Sequence, residues 1–227
     1  RNFGNGDGYA EKNVALILTF CRFAHQKGRK QPKKEAFGNN ITKSTEMTDE
    51  KNLIARLKSA EERNEAFGEL LKAYGDKLYW HIRRIVVSHD DAEDVMQETA
   101  VKILTGLDGY RGDSSLATWL YRISTNEALL HLRRECRLFQ SLDSLGETLA
   151  ERVAAEADVD ADRATVVFQQ AVALLPTQQR LAFNLRYYDE MPYEQMAQVT
   201  GKSVGSLKTN YHLAVERIKK YLKENMI

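Results

Sequence analysis

The chain has 227 residues, enough for one or two compact domains. Its 33 Lys and Arg nearly balance 32 Asp and Glu, for a net charge of +1, so any nucleic-acid surface must be local rather than chain-wide. With 3 prolines, 13 glycines and abundant Ala, Leu, Glu, Lys and Arg, the composition favours long helices over a β-sandwich.

Cys21 and Cys136 form neither a disulfide framework nor a CxxC clip. His25, His81, His89, His131 and His212 make no HExxH or HxxxH pair, so no metal and no cofactor is expected. The longest apolar run, Val14 to Phe20, is too short to span a bilayer, and Asp7 and Glu11 before it do not suit a signal peptide. A reduced cytoplasmic setting follows as the expectation.

Residues 1–46 hold nine basic and four acidic residues, a net of +5, with little helical periodicity. They read as a disordered extension, with Met47 as the expected initiator and Thr48 or Asp49 as the cap of the first helix. A basic arm touching nucleic acid is the alternative reading. From Leu53 through Leu78 to Val87, apolar residues recur at spacings of three and four, the period of buried helices.

Ser88-His-Asp-Asp91 then signals a helix start. Ala92, Val95, Met96, Thr99, Ala100 and Ile103 share one face of that helix, while Asp91, Asp94, Gln97 and Glu98 lie largely on others. That acidic face is either a solvated surface or a docking surface for a basic partner. A polar loop, Asp108 to Ser115, ends in two N-cap candidates. Behind it a helix from Leu116 to Glu135 carries Thr118, Trp119, Arg122, Asn126, Arg133 and Arg134. Aromatic residues beside arginines suit unstacked bases and a single-strand backbone, although on composition alone Trp119 reads more readily as core and Arg133-Arg134 as a cationic helix end.

Residues 139–167 carry seven acidic and two basic residues, a net of −5, and read as an acidic linker, partly helical at best. Residues 168–227 carry a net of +3, with helices expected near 165–175, 177–187, 193–199 and 203–224. Within them, Ala197 stands four residues before Gly201 and Leu207 six after it. A helix-turn-helix needs this arrangement: a small residue for close approach, glycine for the turn, an apolar anchor for the recognition helix. Ser203 is the expected cap, and Ser206, Lys208, Thr209, Asn210, His212 and Arg217 offer groups to bases and phosphates. An ordinary helical hairpin is the competing reading.

These motifs together resemble the extracytoplasmic-function (ECF) sigma factors of the sigma-70 family. Asp91-Ala-Glu-Asp-Val-Met-Gln-Glu98, Tyr110-Arg-Gly-Asp-Ser-Ser115, Thr118-Trp-Leu-Tyr-Arg-Ile-Ser-Thr-Asn126 and Leu132-Arg-Arg134 resemble sigma region 2. Leu175-Pro-Thr-Gln-Gln-Arg180, Tyr193-Glu-Gln-Met-Ala197 and Ser203-Val-Gly-Ser-Leu-Lys-Thr209 resemble region 4.

The resemblance implies an all-α fold of two small domains, region 2 over 47–138 and region 4 over 165–227, joined by a flexible acidic linker over 139–164. It implies a non-enzymatic initiation factor of the bacterial cytoplasm that binds core RNA polymerase through its clamp and flap. Promoter DNA would be bound as a single strand at −10 and as a duplex at −35. An anti-sigma factor is a further implied partner, and the free chain is expected to be monomeric and not inserted in membranes.

By the same resemblance, Asp91, Asp94, Gln97 and Glu98 would grip polymerase. Tyr110, Arg111, Ser114, Thr118, Trp119, Arg122, Asn126, Arg133 and Arg134 would serve the −10 element. Arg186, Tyr193, Ser203, Ser206, Lys208, Thr209 and His212 would serve the −35 element. Leu130 departs from a common family Asp, and Asn210, Leu213 and Val215 replace frequent arginines, which implies fewer phosphate contacts. A stand-alone helix-turn-helix regulator remains the alternative class.

Overall fold

A computed structural model describes residues 43–139, 142–155 and 163–225. The expected extension lies outside these except for its last residues, and 156–162 of the linker also lie outside. Every regular element among the described residues is helical.

The N-terminal half is built from α1 (Lys43–Lys58), α2 (Arg63–Val86), α3 (His89–Gly106) and α4 (Leu116–Phe139). The first helix starts at Lys43, so Thr48 and Asp49 lie inside it rather than at its cap. No Gly or Pro interrupts 43–58, and nothing stops the helix extending back through those polar positions. Helix α2 buries Phe67, Leu70, Leu71, Leu78, Ile82 and Ile85 on one face, as their spacing predicts.

The α2–α3 corner is tight. Val87 takes φ 69°, ψ −38°, and the Ser88 amide donates to the Val86 carbonyl two residues back, a three-residue turn. A left-handed β-branched residue is strained, and it is held here by burial. Ser88 caps α3 as its sequence suggests, accepting from the Asp91 amide at 3.3 Å.

The linker is more ordered than the sequence suggests. Residues Leu142–Ala155 form α5, which buries Leu149 and Ala150 in the core shared by both halves, packing mainly on the helix that follows it and also on α4. The apolar contacts of Leu149, Ala150 and Val153 and the pairing of Arg152 with Asp91 and Glu135 overcome its acidic composition.

The C-terminal half comprises α6 (Arg163–Ala173), α7 (Thr177–Phe183), a π-turn (Asn184–Tyr188), α8 (Tyr193–Thr200) and α9 (Val204–Asn225). Its own aromatic cluster gathers Phe168, Phe183, Tyr187 and Tyr188, with Phe183 stacked on Tyr187 at 4.9 Å and on Tyr211 at 5.9 Å.

The two halves are packed together. Helix α8 lies against α4, and Met191, Met196, Val199 and Leu207 join the same buried cluster as Leu78, Ile82 and Leu120. His81, fully buried on α2, reaches Asp189 at 2.9 Å, and Arg84 reaches the other Asp189 oxygen at 3.2 Å. The Arg84 guanidinium also sits 4.4 Å from the Tyr188 ring centre, and its carbonyl accepts from Asn184.

Candidate nucleic-acid interface

The helix-turn-helix forms as its sequence requires. Gly201 takes the left-handed conformation (φ 68°, ψ 14°), and its amide donates to the Ala197 carbonyl at 2.9 Å, ending α8. Ser203 Oγ accepts from the Ser206 amide at 3.2 Å and caps α9. Leu207, 3% exposed, anchors the recognition helix in the core.

Outward from that anchor, Ser206, Lys208, Thr209 and His212 are exposed, as is Ser203 at the cap. Two further residues, Arg186 and Tyr193, converge on Lys208 there. The Tyr193 ring has the Arg186 guanidinium 5.5 Å and the Lys208 ammonium 5.6 Å from its centre. Arg186 comes from the π-turn, an irregularity that often marks a functional position. It is steadied by the Glu190 and Met191 carbonyls at 3.5 and 3.3 Å. Two cations on one aromatic ring at the start of the helix-turn-helix make a site suited to a phosphate backbone beside a groove.

In the N-terminal half, the loop before α4 is tied on three sides. Tyr110 OH donates to the Ser114 carbonyl at 2.6 Å, Lys58 donates to the Tyr110 carbonyl at 2.8 Å, and Glu50 accepts from the Leu116 amide at 2.8 Å. Ser115 caps α4 by accepting from the Thr118 amide. The loop borders an open hollow of about 210 Å³ lined by Tyr110, Arg111, Asp113, Ser114, Trp119 and Arg122.

Tyr110, Arg111, Ser114, Trp119 and Arg122 line one hollow, but they differ in how far they emerge. Trp119 is 8% exposed, its ring 5.1 Å from Tyr110 and 3.3 Å from where a side chain on Gly106 would begin. Thr118, 2% exposed, turns inward to Ser115 Oγ at 2.8 Å. Arg111, Arg122 and Asn126 are exposed. Arg133 and Arg134 lie further along α4, away from the loop. Arg134 pairs with Glu98 at 3.3 Å. Arg133 lines a groove of about 740 Å³ between the halves, with Leu132, Leu175, Pro176, Asn210 and Arg217.

On α3, Asp94 and Glu98 are exposed and Gln97 is half-buried. Val101, 47% exposed, follows Asp94, Gln97 and Glu98 at helical spacing and completes that stripe. An apolar residue alone on a polar face gave the sequence reading no signal. Asp91 stands apart, held by Arg152 at 2.9 Å.

A helix-turn-helix with a polar recognition face, joined to a helical bundle that carries a basic, aromatic-lined hollow, defines a DNA-binding transcription protein. The chain matches Sigma-70 region 2 over residues 70–138 and Sigma-70, region 4 over residues 165–218. It is 31% identical over 179 residues to the RNA polymerase sigma-H factor of Pseudomonas aeruginosa, covering 75% of this chain and 92% of that protein. It is 30% identical over 184 residues to the ECF RNA polymerase sigma-E factor of Escherichia coli (strain K12), covering 77% and 94%.

Similar folds occur in CnrH bound to the cytosolic domain of CnrY (TM-score 0.57, 24% identity, 78% of this chain and 98% of that chain) and in the sigma factor RpoE bound to the anti-sigma factor NepR from Bartonella quintana (TM-score 0.55, 23% identity, 70% and 98%). The chain belongs to the ECF sigma factors of the sigma-70 family. Its role is that of a transcription initiation factor, a non-catalytic one as the family implies. Among the described residues no helix is long and apolar enough to cross a membrane.

Proposed function

We propose that this sigma factor directs core RNA polymerase to promoters by reading a −35 element with its C-terminal half and opening a −10 element with its N-terminal half. The observation that carries the reading is the convergence of Arg186, Tyr193 and Lys208 beside a Gly201-turned recognition helix. Lys208, Thr209, Ser206 and His212 would meet the −35 duplex, with the start of α9 at Ser203 facing phosphate.

The hollow behind Tyr110 and Arg111 would take an unstacked −10 base, with Arg122 and Asn126 holding the strand. A pocket that accepts the base offsets the few kcal/mol lost in unstacking it. Asp94, Gln97, Glu98 and Val101 would form the polymerase-facing stripe, with Asp91 at its edge. Residues 47–138 would thus serve polymerase and −10, residues 139–164 connect, and residues 165–227 serve −35. The site of action is the bacterial cytoplasm, where the polymerase works.

Elements centred 25 base pairs apart are separated by about 85 Å of B-form DNA. The packed halves share one core around an α4 that is about 36 Å long. The halves must therefore separate before both elements are engaged, and the His81–Asp189 contact must break. The groove between the halves, lined by Arg133, Asn210 and Arg217, would suit an anti-sigma factor of the kind bound to the relatives of similar fold.

The test is open-complex formation on genomic fragments with chain and core polymerase, together and separately. Strand opening at defined promoters only with both supports the reading. Tight, two-fold-symmetric duplex binding by the chain alone, without polymerase binding, would replace it with a stand-alone regulator.

A further inference from the structure

Asp91 opens helix α3, while His131 and Glu135 stand one turn apart on α4 and face the same way. One ligand-type atom from each of the three lies within 4.8 Å of the other two. Arg152 from α5 bonds to one oxygen of each carboxylate, Asp91 Oδ2 and Glu135 Oε1, both at 2.9 Å. Asp91 Oδ1, Glu135 Oε2 and His131 Nε2 remain. His131 Nε2 is 3.4 Å from Asp91 Oδ1, yet neither it nor Glu135 Oε2 has a hydrogen-bond partner, although both atoms are buried.

Buried nitrogen and oxygen atoms are rarely left so, and these two belong to one cluster. An imidazole nitrogen with two carboxylate oxygens suits first-row divalent ions such as zinc, cobalt or nickel better than calcium or magnesium, which prefer all-oxygen shells. The sequence scan missed the set because the pair is His-x₃-Glu rather than His-x₃-His, and Asp91 comes from a different helix.

We propose that Asp91, His131 and Glu135 form a binding site for a divalent first-row transition metal, and that the metal competes with the Arg152 guanidinium for it. Charge decides the competition. Two carboxylates with Arg152 leave the cluster one negative charge in excess, and with a dication alone they are neutral. Both cations together would leave an excess positive charge in a half-buried site, where screening is weak. Metal entry therefore expels Arg152 and removes the polar tie between α5 and the N-terminal bundle. Asp91 also borders the proposed polymerase-facing stripe, but metal binding is read out below without polymerase or promoter.

The test uses the full chain after chelator treatment. Cobalt chloride is titrated while visible absorption is followed, and zinc chloride is titrated by calorimetry, with circular dichroism monitoring the fold. One saturable site is expected. His131→Ala and the milder Glu135→Gln should abolish it with the helical signal intact. His89→Ala, which removes half-buried contacts to Glu93 and to the Tyr79 hydroxyl, should leave it unchanged. Arg152→Gln should tighten binding by about tenfold. No saturation at millimolar metal, binding retained in His131→Ala, or an unchanged affinity in Arg152→Gln would overturn the proposal.

Discussion

His81 and Asp189 lie 108 positions apart in the chain and 2.9 Å apart in the fold, with His81 wholly buried. The Asp189 carboxylate accepts from His81 Nδ1 and from Arg84, while His81 Nε2 meets Thr125 Oγ1 at 2.8 Å. A single side chain of the C-terminal half thus satisfies two groups of the N-terminal half. Asp189→Ala leaves both without that partner, and a loss of about 2–4 kcal/mol is expected. Thermal unfolding would report the loss, and small-angle scattering would report a larger radius of gyration as the halves part. An unchanged radius would show that the remaining contacts, α8 on α4 and Arg84 with Asn184 and Tyr188, suffice to hold the halves together.

The same interface makes the protein sensitive to alkali. Burial pushes the Tyr188 hydroxyl up to about 12, partly offset by Arg84, and burial with the Asp189 charge pushes Tyr121 well above its usual value. Unfolded tyrosines ionise near pH 10 while these stay protonated, so the unfolded state binds fewer protons above that pH. Stability is therefore complete below about pH 10 and falls as pH rises toward 12. Urea unfolding across that range should show the decline, and Tyr188→Phe should make it shallower. An identical slope in the variant would rule Tyr188 out as a contributor.

Trp119 and Arg122 share a hollow but differ in exposure, which separates folding from DNA binding. Trp119→Ala should cost about 3–5 kcal/mol by opening a cavity against Tyr110 and Gly106. Arg122→Ala should leave the melting temperature within about a degree or two while reducing permanganate-detected strand opening at −10. Equal thermal loss in both would show that Arg122 is structural.

Lys208→Ala should weaken −35-dependent initiation about tenfold and leave core polymerase binding unchanged. Transcription from promoters with and without a −35 element, alongside polymerase co-sedimentation, measures the two separately. Parallel loss of both would place Lys208 outside the DNA surface.

Asp94→Arg reverses an exposed charge on α3 and should lower affinity for core polymerase about tenfold, with little effect on stability. Retained affinity would move the polymerase-facing stripe elsewhere on the N-terminal half.

Much of this architecture is local and so legible in the residues. The three-and-four spacing of Phe67, Leu70, Leu71 and Leu78 specifies a buried helix face wherever that face ends up. Ser88, Ser115, Gly201 and Ser203 act on backbone groups within a few residues, so they mark the helix ends they cap without help from the rest of the fold. The helix-turn-helix is legible for the same reason.

Relationships between distant residues were decided only by packing. Composition marked 139–164 as an acidic linker, partly helical at best, yet within it Leu149 found an apolar partner surface and Arg152 two carboxylates, and 142–155 form a docked helix. Trp119 read as core on composition and as a base contact by resemblance, and the closeness of Gly106 and Tyr110 places it inward. The sequence by itself determined the helices, their caps and the recognition turn, because those depend on neighbours in the chain. Tertiary structure alone decided the union of the halves through His81 and Asp189 and the meeting of Asp91, His131 and Glu135, because which side chains face each other depends on how whole helices pack.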